Sequence, residues 1–422
     1  MRRRRLRQFA GNSHSAWTPS FPTESNAMPE QFPLVATTAF GLEAVVAREL
    51  QALGYGDQRV EDGRVRFEGD GRAVARCNLW LRCASRVVIE VADFEATDFG
   101  ELFERTTSIA WEEWLPMDAG FPVRGRSARS QLHSVPDCQR IVKKAIVERL
   151  KSIHARDWFK ESGAVYGIEV SVLKDRVTLT IDTSGDALHR RGYRTSSGPA
   201  PLRETLAAAL VLLSYWNRER PLVDPFCGSG TIPIEAAMIG REMAPGLNRR
   251  FAAEEWRQIP ESVWAEERES AAARIQPRLP DRLIGTDIEE RAVSAARRHA
   301  QAAGVADDIH FQKKPLAEFR SPRKYGVIIT NPPYGERISD ERAVEALYRE
   351  MGRLFERLDT WSIYVLTAHH RFEHLYGRVA ERRRKLFNSN LACTYYQFPG
   401  PRPPRSGRRS ASVRGDSSAG GG

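Results

Sequence analysis

One stretch of the chain, Thr330-Asn331-Pro332-Pro333-Tyr334-Gly335, gathers groups suited to holding an amine. Two successive prolines remove two backbone donors and stiffen the segment, so carbonyls there are able to accept hydrogen bonds from a ligand. The Asn331 side-chain oxygen and the Pro332 carbonyl can together take both N–H bonds of an exocyclic amino group. Tyr334 offers a stacking face to the base that carries it. Held in this way, the amine has its lone pair directed at an electrophile. Asn331, Pro332, Pro333 and Tyr334 are therefore the candidate catalytic residues; a proline-rich β turn is the alternative for the segment taken alone.

Two earlier stretches suggest the electrophile. Asp224-Pro225-Phe226-Cys227-Gly228-Ser229-Gly230-Thr231 stands where a strand passes into a helix, the place where ligands bind in a doubly wound sheet. Gly228 and Gly230 let the backbone turn tightly and approach a ligand, although a plain βα turn needs the same residues. A carboxylate ahead of the turn would repel a pyrophosphate. Asp224 suits a cationic or hydroxyl-bearing ligand instead, such as the amino-acid end of S-adenosylmethionine. In Gly285-Thr286-Asp287-Ile288, the acid at the next strand end can accept both ribose hydroxyls of an adenosine, or by itself can cap the helix that follows. The candidate cofactor residues are Asp224, Phe226, Cys227, Gly228, Gly230, Thr231, Asp287, Ile288 and Asn331. A sulfonium is already an activated methyl donor, so positioning and charge stabilisation supply most of the catalysis. No metal ion or covalent nucleophile is required. His133, His369 and His370 have no partner at metal-ligand spacing and are given no task.

The elements that must position these residues follow from hydrophobic periodicity. After Ser184, strands are expected at Pro221–Asp224, Leu283–Asp287, Ile309–Gln312, Tyr325–Thr330 and Ser362–Thr367. They alternate with helices Leu202–Trp216, Ile232–Ile239, Ser270–Ile275, Glu290–Ala303 and Ala343–Leu358, and a long insertion runs to about Glu269. This alternation predicts an α/β, Rossmann-like domain. Before Ser184 the pattern is α+β. Strands are expected at Phe32–Thr38, Arg64–Phe67, Arg86–Val91, Phe121–Gly125, Tyr166–Leu173 and Arg176–Asp182, with a Lys-Asp turn joining the last two. Helices are expected over Leu42–Leu53, Gly71–Cys83, Phe99 toward Trp114, and Cys138–Ile153.

The formal net charge is +10 over 422 residues, but each tail, 1–27 and 399–422, carries five arginines against one acid, leaving +2 for the 371 residues between. Net charge therefore does not identify what the core binds. Both tails have compositions that cannot bury enough apolar surface to fold alone, and Met28 is an alternative start. Five scattered cysteines without a CxxC pair argue against a disulfide framework or zinc cluster. No stretch is long and apolar enough to span a bilayer. A reducing cytoplasm is the expected location.

The three stretches, in this order on successive strands, resemble class I S-adenosylmethionine-dependent methyltransferases with the Asn-Pro-Pro-Tyr signature of amino-group methylation. A fuller set resembles the RNA guanine-N2 methyltransferases with an N-terminal THUMP domain, a family that includes bacterial large-subunit rRNA enzymes. That set comprises DTSGDALHRRGYR (182–194), APLRETLAAAL (200–210), LVDPFCGSGTIPIEAA (222–237), GTDI and TNPPYGERI, with NLWLRCASRV (78–87) and SQLHSVPDCQRIVKKAIVERL (130–150) upstream. The resemblance implies a disordered Arg-rich extension (1–27), a ferredoxin-like unit (28–98), a THUMP RNA-binding unit (99–183), a Rossmann-like methyltransferase domain (184–398) and a disordered basic tail (399–422). It further implies S-adenosyl-L-methionine as cofactor and RNA as partner, with 23S ribosomal RNA ahead of tRNA. One departure stands out: the segment after the third strand, IHFQKKPLAEF, lacks the usual acid that reads the adenine amine. Glu318 or a backbone group is left for that contact.

Arg140, Lys143 and Lys144 fall at i, i+3 and i+4 of one helix, and Arg190, Arg191 and Arg194 lie in a basic loop. All six are candidate phosphate contacts, with solvated surface charge as the alternative, and Arg382–Lys385 reads as a solvated helix end. Two rivals remain. A DNA adenine-N6 methyltransferase shares Asn-Pro-Pro-Tyr, and a non-catalytic RNA-binding assembly factor would keep the N-terminal half. Oligomeric state is not legible.

Overall fold

The computed structural model describes residues 30–194, 202–334 and 341–404. The Arg-rich start, Met28, residues 200–201, residues 335–338 and most of the basic tail lie outside the described residues.

The first half of the chain supplies seven strands: β1 (Phe32–Thr38), β2 (Gln58–Glu61), β3 (Arg64–Gly69), β4 (Ala84–Glu95), β5 (Val123–Ala128), β6 (Gly167–Leu173) and β7 (Arg176–Asp182). They form one sheet in the order β2-β3-β1-β4-β7-β6-β5. Pairing is antiparallel except between β5 and β6. Alternation sets the faces: Ile168, Val170 and Val172 of β6 are buried, while Glu169 and Ser171 between them are partly exposed. Lys174 and Asp175 both take positive φ (52° and 64°), the two-residue hairpin turn whose twist matches its strands.

The second half supplies β8 (Leu222–Asp224), β9 (Leu283–Asp287), β10 (Ile309–Lys313), β11 (Val327–Thr330), β12 (Ser362–Thr367), β13 (Arg382–Asn388) and β14 (Leu391–Phe398). Their order is β10-β9-β8-β11-β12-β14-β13. The first five are parallel, so their carboxyl ends share one edge. The chain moves outward from β8 through β9 to β10 and then returns to β11, placing the topological switch point between β8 and β11.

The sheet departs from the sequence reading at its far side, where β14 and β13 are antiparallel and lie outside the expected βα alternation. Arg382–Lys385 opens β13 and is not a helix end; an edge strand tolerates such charge because one of its sides faces solvent. Helix Phe99 toward Trp114 is two helices, Phe99–Thr107 and Trp111–Trp114. Helix Gly71–Trp80 stops before Cys83 because Leu81 turns to extended backbone.

The expected helix Ser270–Ile275 is instead Glu261–Ala273, and the insertion containing it joins the two halves. Arg76 donates to Glu267 at 2.9 and 2.8 Å, and Arg72 donates to the same carboxylate at 3.1 Å. Trp256 stacks on Tyr166 with centroids 4.5 Å apart, while the Tyr166 hydroxyl donates to Gln258 at 2.7 Å. One hydrophobic core accordingly runs from Phe32 and Leu34 through Ile232 and Ile234 to Tyr395. All five cysteines are buried and unpaired. Among the described residues no helix is long and apolar enough to cross a membrane.

Candidate active site

The switch point brings the three sequence stretches to one edge. Asp224 ends β8 and pairs in register with Gly285 of β9, two residues before Asp287. Gly285 has no room for a side chain, since a Cβ there would lie 2.6 Å from the Phe311 ring and 3.1 Å from the Cys227 Cβ. Close approach of β8 and β9 therefore depends on glycine at this position.

The turn after β8 is held from several sides. Cys227 N–H donates to the Thr286 carbonyl at 2.9 Å, Gly230 N–H donates to the Cys227 carbonyl at 2.8 Å, and Gly228 N–H donates to Asp287 Oδ2 at 2.9 Å. The two glycines serve different ends. Gly230 has φ +84° and a Cβ there would lie 2.8 Å from Phe311 and 2.9 Å from Ala296, whereas Gly228 has φ +51° and its missing Cβ would meet nothing within 4 Å. Packing requires Gly230; Gly228 faces open space beside Asp287.

Asp224 is 1 % exposed. It accepts hydrogen bonds from Phe226 N–H at 3.1 Å and from Thr330 Oγ1 at 2.6 Å. Burial nevertheless pushes its carboxyl up to about 7, with the nearby Asp287 charge adding to the rise. Asp287 accepts from Gly228 N–H and, on its other oxygen, from Glu289 N–H at 3.0 Å. Both bonds to Asp224 reach Oδ1, and each of the two carboxylates keeps acceptor capacity beyond these bonds. Ile288 is 67 % exposed, an apolar side chain at the lip of the edge.

Thr330, which anchors Asp224, directly precedes Asn331. The Asn331 Oδ1 atom is buried and has no hydrogen-bond partner among the described residues. A buried acceptor left unpaired costs about 1–3 kcal/mol, and a ligand N–H would remove that cost. The Pro333 carbonyl accepts from the Tyr348 hydroxyl at 2.9 Å, and the same hydroxyl lies 2.8 Å from Thr367 Oγ1 at the end of β12. Tyr334 is partly buried. The residues present thus fit S-adenosylmethionine. Asp224 can answer its cationic amino-acid end, Asp287 its ribose hydroxyls, Gly228 its close approach and Ile288 its adenine face.

Thr330, Tyr348 and Thr367 were not legible as site residues. Tyr348 lies on the apolar stripe of helix Glu341–Phe355 and has the signature of an ordinary core aromatic. Lys314 N–H donates to the Asp287 carbonyl at 2.8 Å, which ties the segment after β10 to this edge; Glu318 is exposed.

The basic candidates divide. Arg140, Lys143 and Lys144 share helix Val135–His154 as expected. Arg140 is exposed and pairs with Asp137, Lys143 pairs with Glu161 at 2.9 Å, and Lys144 lies over the Phe103 ring. Arg190 is exposed beside Asp186 at 3.0 Å. Arg191 requires correction as a phosphate contact: it is 3 % exposed, pairs with buried Glu235 at 3.4 Å and donates to the Leu188 and Arg82 carbonyls. Arg194 is likewise turned inward, donating to Thr231 Oγ1 at 2.7 Å and to the Leu202 carbonyl at 3.0 Å, and pairing with Glu204 at 3.2 Å. Two cations spaced for a surface loop instead brace the helix that starts at Thr231. Thr231 is one of the expected cofactor residues, and its hydroxyl is occupied by Arg194.

His369, given no task from its sequence spacing, has a ring nitrogen that lies with the Glu341 and Glu345 carboxylates within 4.8 Å of one another. Glu341 and Glu345 are one turn apart on helix Glu341–Phe355, whereas His369 follows 24 residues after Glu345, beyond β12. Arg349 and Arg371 already donate to Glu345 at 3.0 and 2.8 Å, so ion pairing engages that member of the cluster.

Comparison with known proteins gives the family of the chain. Residues 33–88 match an RlmL ferredoxin-like domain, 96–182 a THUMP domain, and 191–397 an RMKL-like methyltransferase domain. A Bacillus subtilis (strain 168) protein named "Putative RNA methyltransferase YpsC" is 50% identical over 371 residues, covering 87% of this chain and 96% of the relative. Among solved structures, one described as a "predicted N6-adenine-specific DNA methylase" from Listeria monocytogenes is 53% identical with a TM-score of 0.84, covering 88% of this chain and 97% of that one. SMU.472, described as "a putative methyltransferase complexed with SAH", is 45% identical with a TM-score of 0.86, covering 89% of this chain and 100% of that one.

Proposed function

The chain belongs to the methyltransferase family that joins RlmL-type ferredoxin-like and THUMP domains to an RMKL-like catalytic domain, and from that premise we propose that it methylates N2 of a guanine in RNA. The observation that carries the reading is the buried, unpartnered Asn331 Oδ1, one residue beyond the Thr330 that anchors Asp224. An amine acceptor and a cation-binding acid are thereby fixed on adjacent strand ends. S-adenosylmethionine, whose demethylated product SAH was found in SMU.472, supplies an activated methyl group when bound. The residues of this chain do the rest by positioning.

Asn331 Oδ1 and the Pro332 carbonyl accept hydrogen bonds from the two amine N–H groups and keep the nitrogen lone pair directed at the donor, while Tyr334 stacks on the base. As the nitrogen becomes alkylated it acquires positive charge, which these two oxygens stabilise until a proton leaves to solvent. Reaching this edge requires the base to leave its stack, at a cost of a few kcal/mol that is lowest in loops and single strands. Arg140, Lys143, Lys144 and Arg190 are the proposed phosphate contacts.

Large-subunit ribosomal RNA is the first substrate and tRNA the second. The name of the Listeria relative favours a competing reading, adenine N6 in DNA, because the same two acceptors suit either amine. The THUMP match over 96–182 supports RNA. A competition assay decides between them: labelled methyl groups from S-adenosylmethionine are offered to RNA and duplex DNA together. Label confined to RNA is expected, and preferential label in DNA would replace this reading.

A further inference from the structure

The β13–β14 hairpin continues past the catalytic edge. Thr367, the last residue of β12, pairs with Thr394, and Thr394 pairs with Lys385. Beyond that level Leu386, Phe387 and Asn388 pair with Cys393, Ala392 and Leu391, carrying the ladder about 10 Å further at roughly 3.3 Å per residue. Thr330 of β11 pairs with Val365, so Asn331 stands at nearly the level where the hairpin starts to project. At about 4.8 Å per strand, β13 lies about 14 Å to the side of β11.

The turn after β1 docks on this projection. Gly41 has φ +90°, and a Cβ there would lie 2.7 Å from the Lys385 carbonyl; Arg384 donates to the Gly41 carbonyl at 3.3 Å. The docking sets Phe40 edge-on to Phe387 with centroids 6.3 Å apart and leaves Phe40 57 % exposed. Lys385 Nζ lies 5.5 Å from the centre of the Phe387 ring. Arg383 is engaged by Glu373 at 2.8 Å, but among the described residues neither Arg382 nor Lys385 pairs with a carboxylate. An exposed aromatic beside an uncompensated cation, Lys385, on the same projecting edge as a site that must receive an unstacked base, has the chemistry of a single-strand stacking surface.

We propose that Phe40, Phe387 and Lys385 form a stacking platform for the single-stranded RNA that flanks the target nucleotide. The inference rests on the RNA reading above and names where the strand runs: from the Asn331 site across β12 and β14 to the junction with the N-terminal sheet. Phe40 stacks on a base, and Lys385 meets the adjacent phosphate.

The full-length protein carries the test, with fluorescent rU12, dT12 and a 12-base-pair RNA duplex as probes. Phe40→Ala is expected to weaken rU12 binding about tenfold, in the range of lost base stacking, with the duplex changed less than twofold and Phe40→Trp restoring affinity. Lys385→Ala is expected to weaken rU12 and flatten the salt dependence of binding. Affinity for S-adenosylmethionine and the melting temperature control for folding. Equal rU12 affinity in Phe40→Ala and wild type, no rU12 binding by wild type, or tighter binding of dT12 than of rU12 would each overturn the proposal. Methylation of RNA by wild type is measured alongside. If it occurs while Phe40→Ala binds normally, the platform fails and the activity stands; if it does not occur while rU12 binding depends on Phe40, the activity reading fails alone.

Discussion

The Tyr348 hydroxyl donates to the Pro333 carbonyl at 2.9 Å and so ties the Asn-Pro-Pro-Tyr segment to a buried position on the helix Glu341–Phe355. Thr367 Oγ1, 2.8 Å from the same hydroxyl, extends the brace to the end of β12. Proline leaves this segment few donors of its own, so its placement depends on a donor from outside. Tyr348 is a positioning residue, and Asn331 is the group it serves.

Tyr348→Phe removes the hydroxyl and keeps the ring. Loss of about 0.5–1.5 kcal/mol of hydrogen bonding should lower kcat up to about tenfold while S-adenosylmethionine affinity stays constant. Single-turnover kinetics and calorimetry on the same variant separate the two. A fall in cofactor affinity with unchanged kcat would place Tyr348 on the wrong side of the site.

Asn331→Ala should reduce methyl transfer by at least about a hundredfold, in the range seen when one charge-stabilising group is removed, with cofactor affinity changed only several-fold. Filter-binding transfer assays and calorimetry check it. Full activity in this variant would remove the catalytic assignment.

Asp224 gives a pH dependence with a definite sign. Its carboxyl is raised from 3.8 to about 7, so between those values the folded chain holds a proton that the unfolded chain has lost. Its contribution to stability therefore falls as pH rises across that window and is level above it. Binding of a cationic cofactor runs the other way, because it prefers the ionised carboxylate. Affinity should rise by up to about tenfold per pH unit from 6 to 7, and Asp224→Asn should flatten the profile. Parallel pH profiles of Kd for wild type and variant provide the check.

Arg191 and Glu235 are buried at 2 % and 0 % side-chain exposure, so Arg191→Ala strands a buried acid. About 3–5 kcal/mol of destabilisation is expected, visible as a lowered melting temperature, with RNA affinity unchanged at permissive temperature. Weakened RNA binding without loss of stability would restore Arg191 as a phosphate contact.

The sequence exposed the site where local chemistry and local structure coincide. Asp224 and Asp287 each end a short strand and Asn331 directly follows one, so periodicity and residue type pointed to the same positions. Other features depended on tertiary packing. Gly285 looks like part of a motif but is required by the Phe311 ring, and Tyr348 is indistinguishable from core until the fold sets it against Pro333. Arg191 and Arg194 read as surface charge because nothing nearby in sequence announces Glu235 or Glu204. The insertion hid its clamping role in the same way, since Trp256 finds Tyr166 only in three dimensions. The basic opening of β13 masked a strand, as edge strands carry charge that interior strands exclude.

The identity of the methylated nucleoside decides whether guanine N2 is the acceptor. Ribosomal and transfer RNA from a strain lacking this gene are incubated separately with the protein and labelled S-adenosylmethionine, then digested and chromatographed. Label in N2-methylguanosine from large-subunit RNA is the expected result. Label in N6-methyladenosine, or no label in either RNA from protein shown to bind the cofactor, would contradict it.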